Sequence, residues 1–182
     1  MSGALHGMGT LFKEDHDPSD SRVQREIELV MLQRLADQHL DWKPAEWKAI
    51  AGELHLPSVW QKAKPDAVWK TDAGEIVIAE CYARIGKLKA GQHRKLAMDA
   101  LKLLALKNAI PLDSPVQYLL VVPKELVGAF GGGGWFPVAI RLAATIVPVR
   151  LLDSERESLG NAAQRQAQGQ SRVTKPNRAL RK

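Results

Sequence analysis

The sequence predicts an α/β domain in which helices flank a mixed central sheet. Three features support this: two segments rich in β-branched and aromatic residues around a Gly-containing turn, two later apolar runs of strand length, and intervening segments with helical spacing of apolar residues. In chain order these predict helix, hairpin, helix, strand, helix and strand. This element order gives an α/β core with a mixed sheet.

Composition indicates one globular domain. The chain has 182 residues, of which 45% are hydrophobic and 25% charged. Its single cysteine, Cys81, excludes an internal disulfide framework and is typical of a reducing compartment. No apolar run approaches the roughly 18 residues of a membrane span, and the first residues lack the regions of a signal peptide. We therefore expect a cytoplasmic protein with no membrane segment.

The first third of the chain predicts a flexible arm over residues 1–20 and two helices. Ser21 and Gln24 resemble a capping box, and apolar residues then recur at helical spacing, so we expect a helix over residues 22–40. Lys43-Pro44 predicts the start of a second helix that ends near Leu54, because proline is tolerated in a first helical turn.

A hairpin over residues 64–82 carries two acids. The turn Asp72-Ala73-Gly74 suits a type I turn closed by a left-handed glycine, so that Thr71 pairs with Glu75. Counting back along both strands places Asp66 directly opposite Glu80. Side chains alternate between the two faces of a sheet, so these carboxylates share one otherwise apolar face.

Opposed carboxylates about 5 Å apart destabilise a sheet unless something offsets their repulsion. A divalent cation or a raised pKa on one acid would do so. Mg²⁺ is the expected ion, because it takes oxygen ligands from one or two carboxylates and completes its shell with water and phosphate. The alternative is a register shifted by one residue, which would send Glu80 into solvent.

The later elements follow from periodicity. We expect a basic helix over residues 92–108, a buried strand over 116–122, a helix over 135–144 after four consecutive glycines, and a strand over 145–152. From residue 161 onward the chain is rich in Gln, Arg and Lys and predicts a disordered tail. Its six basic residues equal the formal net charge of +6, so residues 1–160 balance to zero.

Pro65-Asp66, a strand, a turn, a strand ending in Glu80 and a basic helix together resemble the PD-(D/E)XK nuclease superfamily. The resemblance covers roughly residues 21–153 and implies a restriction-endonuclease-like core. It also implies that Asp66 and Glu80 bind Mg²⁺, with Mn²⁺ as the alternative ion, and that the substrate is DNA. The family has a lysine two residues after the glutamate, which positions or activates water. Tyr82 stands at that position here.

Another lysine must then supply the cation, as in some members of the superfamily. Lys95 is the first candidate, with Gln92 beside it, because both lie on a helical stripe with Asp99 and Lys102. The alternative for this stripe is a solvated helix face with ordinary three- and four-residue ion pairs.

Three further residues are candidates for this site. Lys64 is the rival lysine, since the pairing count places it opposite Tyr82. Arg84 shares that face but is always protonated. The resemblance also implies that an acid on the first helix binds metal, which nominates Glu28; the alternative is that Glu28 is solvated.

The connection between the hairpin and the basic helix is the expected nucleic-acid contact. It contains no acid between residues 82 and 95, and two glycines bracket its middle. We expect its cations to meet the phosphate backbone, although a plain solvated connection has the same composition. The residues concerned are Arg84, Lys87, Lys89 and Arg94.

The leading hypothesis from sequence is a metal-dependent endonuclease that hydrolyses DNA phosphodiester bonds, with a homodimer as one arrangement for cutting two strands. The second is a nuclease-fold module without catalytic activity that binds nucleic acid or a protein partner. In the third, the acid pair is only an ion-pair partner of Lys64 or Arg84. The five histidines show no metal-ligand spacing.

Overall fold

The computed structural model describes residues 21–173, and the side chains of residues 22–165. The elements in chain order are α1 (Ser21–Ala36), β1 (Trp42–Pro44), α2 (Trp47–Glu53), α3 (Ser58–Gln61), β2 (Ala67–Thr71), β3 (Ile76–Cys81), α4 (Ala90–Ala109), β4 (Val116–Pro123), a 3-10 helix (Lys124–Phe130), α5 (Trp135–Ala143), β5 (Thr145–Val149) and α6 (Asp153–Val173).

The five strands form one open mixed sheet in the order β1-β2-β3-β4-β5. β1 pairs with β2, and β2 with β3, in antiparallel orientation. β3 pairs with β4, and β4 with β5, in parallel orientation, and the connecting helices are α4 and α5. The predicted α/β class and the mixed sheet flanked by helices are confirmed.

The register of the hairpin is the predicted one. Ala67 lies opposite Ala79, and the Thr71 N–H donates to the Glu75 carbonyl at 2.8 Å. The same count places Asp66 opposite Glu80. Gly74 closes the turn with a φ of 83°, in the left-handed region that glycine adopts without strain. The one-residue shift that would have exposed Glu80 does not occur.

Helices cover both faces of the sheet and create two apolar cores. On one face, Val68 and Ile78 pack with residues of α2, α4 and α5. On the other, Trp69 and Val77 pack with α1 and with Leu159 of α6. Because residues 68 and 78 alternate with 69 and 77, the two cores follow directly from the period of two along each strand.

The prediction of a helix starting at Lys43-Pro44 was wrong. Trp42–Pro44 is instead the edge strand β1, in which Trp42 lies opposite Thr71 and Pro44 opposite Trp69. Proline is tolerated on an edge strand because that strand has one side free of ladder hydrogen bonds. The helix that follows, α2, begins at Trp47. α1 ends at Ala36, four residues before the predicted end, and β5 ends at Val149 rather than at residue 152.

The predicted tail boundary at residue 161 was also wrong, because α6 continues through it to Val173. Two contacts hold the first half of α6 against the domain. Arg34 of α1 forms an ion pair with Glu155 at 2.8 Å, and Leu159 and Ala162 are buried. The expected arm over residues 1–20 and the end of the chain from residue 174 lie outside the described residues.

Within residues 21–173, no single helix has both the length and the apolar composition of a membrane span. The 3-10 helix and α5 meet that criterion only when taken together, and they are bent by 115° at the break between them.

The core on the α4 face predicts a large difference between two neighbouring leucines. Leu103 is fully buried, whereas Leu101 is 56% exposed. We expect Leu103→Ala to lower the free energy of unfolding by about 2–5 kcal/mol, because it leaves a cavity in the core. Leu101→Ala should change it by less than about 0.5 kcal/mol. Urea unfolding followed by circular dichroism measures both, and equal losses would contradict the assignment of the core.

Candidate functional site

Glu80 is a fully buried carboxylate at the end of the central strand β3. Only 1% of the residue is exposed, and its Oε1 lies 2.5 Å from Nζ of Lys102 on α4. The same Nζ donates to the backbone carbonyl of Lys64 at 3.1 Å. The ammonium of Lys102 therefore joins β3 to the segment that leads into Asp66.

Asp66 precedes β2 at the same end of the hairpin. It is exposed to solvent, and its Oδ2 accepts a hydrogen bond from the Cys81 N–H at 2.8 Å. Its charge also acts on Glu80. Burial, and then the negative charge of Asp66, raise the pKa of Glu80 to about 8, although the contact with Lys102 opposes them. One lysine thus does not fully compensate the carboxylate, and further positive charge would stabilise its ionised form.

Glu28 reaches the same region from α1, on the opposite face of the sheet. Its side chain is 12% exposed. Its Oε1 accepts hydrogen bonds from Gln24 Nε2 at 2.7 Å and from the Ala83 N–H at 3.2 Å. Glu28 is therefore not a solvated helix residue but is directed at the backbone just beyond β3.

Lys95 lies between Glu28 and Tyr82. Its Nζ is 3.6 Å from Oε1 of Glu28 and 5.2 Å from the centroid of the Tyr82 ring. Tyr82 is 1% exposed, and burial raises its pKa to about 12, so the ring is a neutral, apolar platform. The geometry thus places an ammonium beside the buried ring of Tyr82, two residues after Glu80.

Asp99 was named from sequence only as a member of the α4 stripe, and the structure places it within this cluster. Its Oδ2 is buried and has no hydrogen-bond partner among the described residues. Burial raises its pKa, Asp66 and Glu28 add to that shift, and Lys95 and Lys102 oppose it. The spacing of 95, 99 and 102 is the sequence signal for this arrangement. The ion pairs of the stripe are not made within α4, because both lysines pair with acids on other elements, while Lys95 stays about half exposed.

The other residues that the sequence nominated beside the acids make different contacts. Gln92 caps α4, since its Oε1 accepts from the Lys89 N–H at 2.8 Å. Lys64 is exposed, and the contact it makes with Lys102 is through its backbone carbonyl rather than its amine. The third hypothesis named Lys64 or Arg84 as the ion-pair partner of the acids; the partner of Glu80 is Lys102.

The connection between β3 and α4 contains one cation that is held by a hydrogen bond and others that are exposed to solvent. Arg84 is anchored, because its Nε donates to Gln24 Oε1 at 2.8 Å. Lys87 and Lys89 of this connection are exposed, as is Arg94 near the start of α4. Lys87 also lines an open cleft of about 570 Å³ between this connection and the 3-10 helix, with His93 and Glu125 among the other lining residues.

Two acids, Asp66 and Glu80, are the ones whose chemistry would suit a divalent cation. Within the described part of the chain, no group of three or more His, Cys, Asp or Glu side chains could hold a metal ion. Asp66 and Glu80 together offer the two carboxylates with which Mg²⁺ is often held, its other positions being filled by water and phosphate. The unpartnered oxygen of Asp99 and the raised pKa of Glu80 indicate that the ionised acids would gain from further positive charge here.

Comparison of the chain with protein-family models, with curated proteins and with solved structures found no match. Function is therefore inferred from the residues and their geometry.

The raised pKa of Glu80 predicts that stability falls as pH rises from about 5 to about 8. In this range the folded protein holds a proton on Glu80, whereas in the unfolded chain the same carboxyl, with its usual pKa of 4.5, has released it. Glu80→Gln should flatten the profile of unfolding free energy against pH by up to about 1.4 kcal/mol per pH unit, the slope of one titrating proton.

Urea unfolding at a series of pH values measures this slope. Glu53→Gln is the matched control, because Glu53 is half-exposed in an ion pair with Lys70 and should leave the profile unchanged. If Glu80→Gln kept the slope of the parent protein, the buried carboxyl would not be the group that titrates.

Proposed function

We propose that this protein is a divalent-metal-dependent endonuclease that hydrolyses DNA phosphodiester bonds and has a restriction-endonuclease-like core of the PD-(D/E)XK type. The position of Lys95 supports this most directly. Its ammonium lies 5.2 Å from the ring centroid of Tyr82, the residue at the place of the motif lysine. A cation from α4 thus stands beside the position from which the family's lysine acts.

The placement of the acids supports the same function. Asp66 and Glu80 are opposed across the central hairpin of a mixed sheet, and a helix and a parallel strand follow. Glu28 reaches the backbone just beyond β3 from the first helix, and its charge acts on Asp99 together with that of Asp66. Three acids from separate segments of the chain therefore lie near one end of β3.

In this proposal, Asp66 and Glu80 hold the metal ion. A bound divalent cation would stabilise the negative charge that develops on the scissile phosphate. Lys95, held in place by Glu28, would donate hydrogen bonds to the phosphate and to the attacking water, and so orient both. Glu28 would keep the lysine directed at the site, and Tyr82 would exclude water from behind it.

The exposed cations of the connection between β3 and α4 and of the start of α4 would bind the DNA backbone. Lys87, Lys89 and Arg94 would contact phosphates, so their contribution would be independent of sequence. Arg84 would instead fix the position of Gln24, and through it Glu28. A cytoplasmic location and a homodimer that cuts both strands belong to the same proposal.

The nuclease proposal predicts metal-dependent cleavage that requires two residues. We expect the protein to cut supercoiled plasmid or single-stranded DNA in the presence of Mg²⁺ or Mn²⁺. Lys95→Met should lower the cleavage rate by about 10²–10⁴-fold, the usual contribution of a positioned proton donor or acceptor. Glu80→Ala should abolish cleavage, because one of the two metal ligands is lost.

Lys107→Met is the control for cleavage, because Lys107 is an exposed lysine further along α4 and should be dispensable. Circular dichroism would show that each variant is folded. Absence of cleavage by the parent protein with both metals and both substrates would contradict the proposal.

A second function is favoured by one specific observation. Glu80 already has a cation beside it in Lys102, and the motif lysine is replaced by a buried tyrosine. A module of this kind would bind DNA without cutting it, through the same exposed cations.

The binding function predicts affinity for labelled duplex DNA in the presence of EDTA. Changing Lys87, Lys89 and Arg94 together to Gln should weaken binding about equally for unrelated sequences. It should also lower the slope of log affinity against log salt by up to about three, because each phosphate contact releases counterions. Fluorescence anisotropy measures both quantities. Binding with an unchanged slope would place the DNA on another surface.

A further inference from the structure

We propose that Lys102 is an internal cation that occupies the position beside Glu80 in the metal-free protein and leaves it when a divalent ion binds. This inference rests on the proposed function, because it takes Asp66 and Glu80 as the metal-binding pair. Lys102 has no counterpart in the motif that led to the nuclease proposal. Its role is derived from its contacts alone.

The contacts of Lys102 are those of a bound cation. Its Nζ lies 2.5 Å from Oε1 of Glu80 and 3.1 Å from the carbonyl oxygen of Lys64. One oxygen belongs to the strand that carries Glu80, and the other to the segment that leads into Asp66. The ammonium therefore bridges the two chain segments that present the two acids.

A divalent ion and this ammonium cannot share the same oxygen of Glu80. Mg²⁺ binds a carboxylate oxygen at about 2.1 Å, so an ion on Oε1 would lie within about 5 Å of Nζ. At that separation a single and a double positive charge repel strongly. The side chain of Lys102 is 27% exposed, and its four-carbon stem allows the ammonium to move into solvent.

Lys95 is not an equivalent residue. Its Nζ contacts Glu28 at 3.6 Å and the Tyr82 ring, and neither of these belongs to the metal-binding pair. The two lysines of the α4 stripe thus have different roles. Lys95 stays in place to contact the substrate, and Lys102 pairs with Glu80 until the metal ion binds.

Displacement has a thermodynamic consequence that a merely structural ion pair does not have. If Lys102 leaves Glu80 on metal binding, its contact stabilises only the metal-free state. Lys102→Met should then lower the stability of the metal-free protein and leave that of the metal-saturated protein equal to the parent. By linkage, the variant must bind the metal more tightly by the same factor.

The test is urea unfolding of the parent, Lys102→Met and Lys107→Met at one fixed pH. Each protein is measured without metal and with saturating Mg²⁺, against NaCl of matched ionic strength. We expect Lys102→Met to bind Mg²⁺ about tenfold more tightly than the parent, the factor that corresponds to one ion-pair contact of this kind. Lys107→Met should behave like the parent.

A second measurement does not depend on a variant that folds. Acylation of lysines in the parent protein, followed by mass spectrometry, should show Lys102 modified several-fold faster with Mg²⁺ than without it. The exposed Lys107 serves as an internal reference whose rate should not change.

The outcomes separate this inference from the proposed function. Equal destabilisation of Lys102→Met with and without metal, or an unchanged acylation rate of Lys102 while Mg²⁺ stabilises the protein, would overturn the displacement and leave the metal site intact. If Mg²⁺ stabilises neither the parent nor Lys102→Met, the metal site fails and the displacement fails with it. Glu80→Gln should remove the response to Mg²⁺ in both measurements.

Discussion

The contact between Glu80 and Lys102 is the constraint on which the site depends. A carboxylate with 1% exposure is costly in a folded domain unless positive charge or a proton compensates it. The hairpin fixes Glu80 at the end of β3, so the compensating group must come from a neighbouring element. α4 provides it from its fourth turn, through Lys102. The same helix packs Leu96, Leu103 and other buried side chains against the sheet, so its core face and its charged stripe fix each other's orientation.

Negative charge remains in excess around this contact. Asp66, Glu28 and Asp99 act electrostatically on the same cluster as Glu80, and Lys95 and Lys102 oppose them. Two physical signs show that the balance is incomplete: the pKa of Glu80 stays raised despite its lysine, and a buried oxygen of Asp99 lacks a hydrogen-bond partner in the described structure. An ion-pair network with only a structural role would be more stable if a further cation compensated Glu80 and a donor bonded to the buried oxygen of Asp99. Acids that are incompletely compensated in the unbound protein are the property that a cation-binding site needs before it binds its cation.

The sequence was sufficient where the interactions are local. The register that opposes Asp66 and Glu80 follows from a short turn with a left-handed glycine and from strict alternation, both visible within about twenty residues. β1 was missed because three residues ending in proline carry no periodic signal, and its pairing with β2 is a long-range contact. α6 was not predicted, because the chain from residue 161 has the composition of a disordered tail, whereas Leu159 and Ala162 anchor the helix. The partner of Lys102 could not be deduced. Helical spacing shows which residues share a face of the helix, but not which residues of other elements that face contacts.

Tyr82 follows β3 directly and bears on where the cations of this cluster come from. It continues the apolar face of the sheet and extends the core beneath α4. A buried aromatic side chain supplies no positive charge to the acids, so their cations must come from another element. The 95, 99 and 102 spacing on α4 provides two, one over the tyrosine ring and one on Glu80. The second compensates a buried acid directly, because its Nζ lies 2.5 Å from Oε1 of Glu80. The two lysines therefore have different surroundings, because a buried ring and a buried acid lie two residues apart at the end of β3.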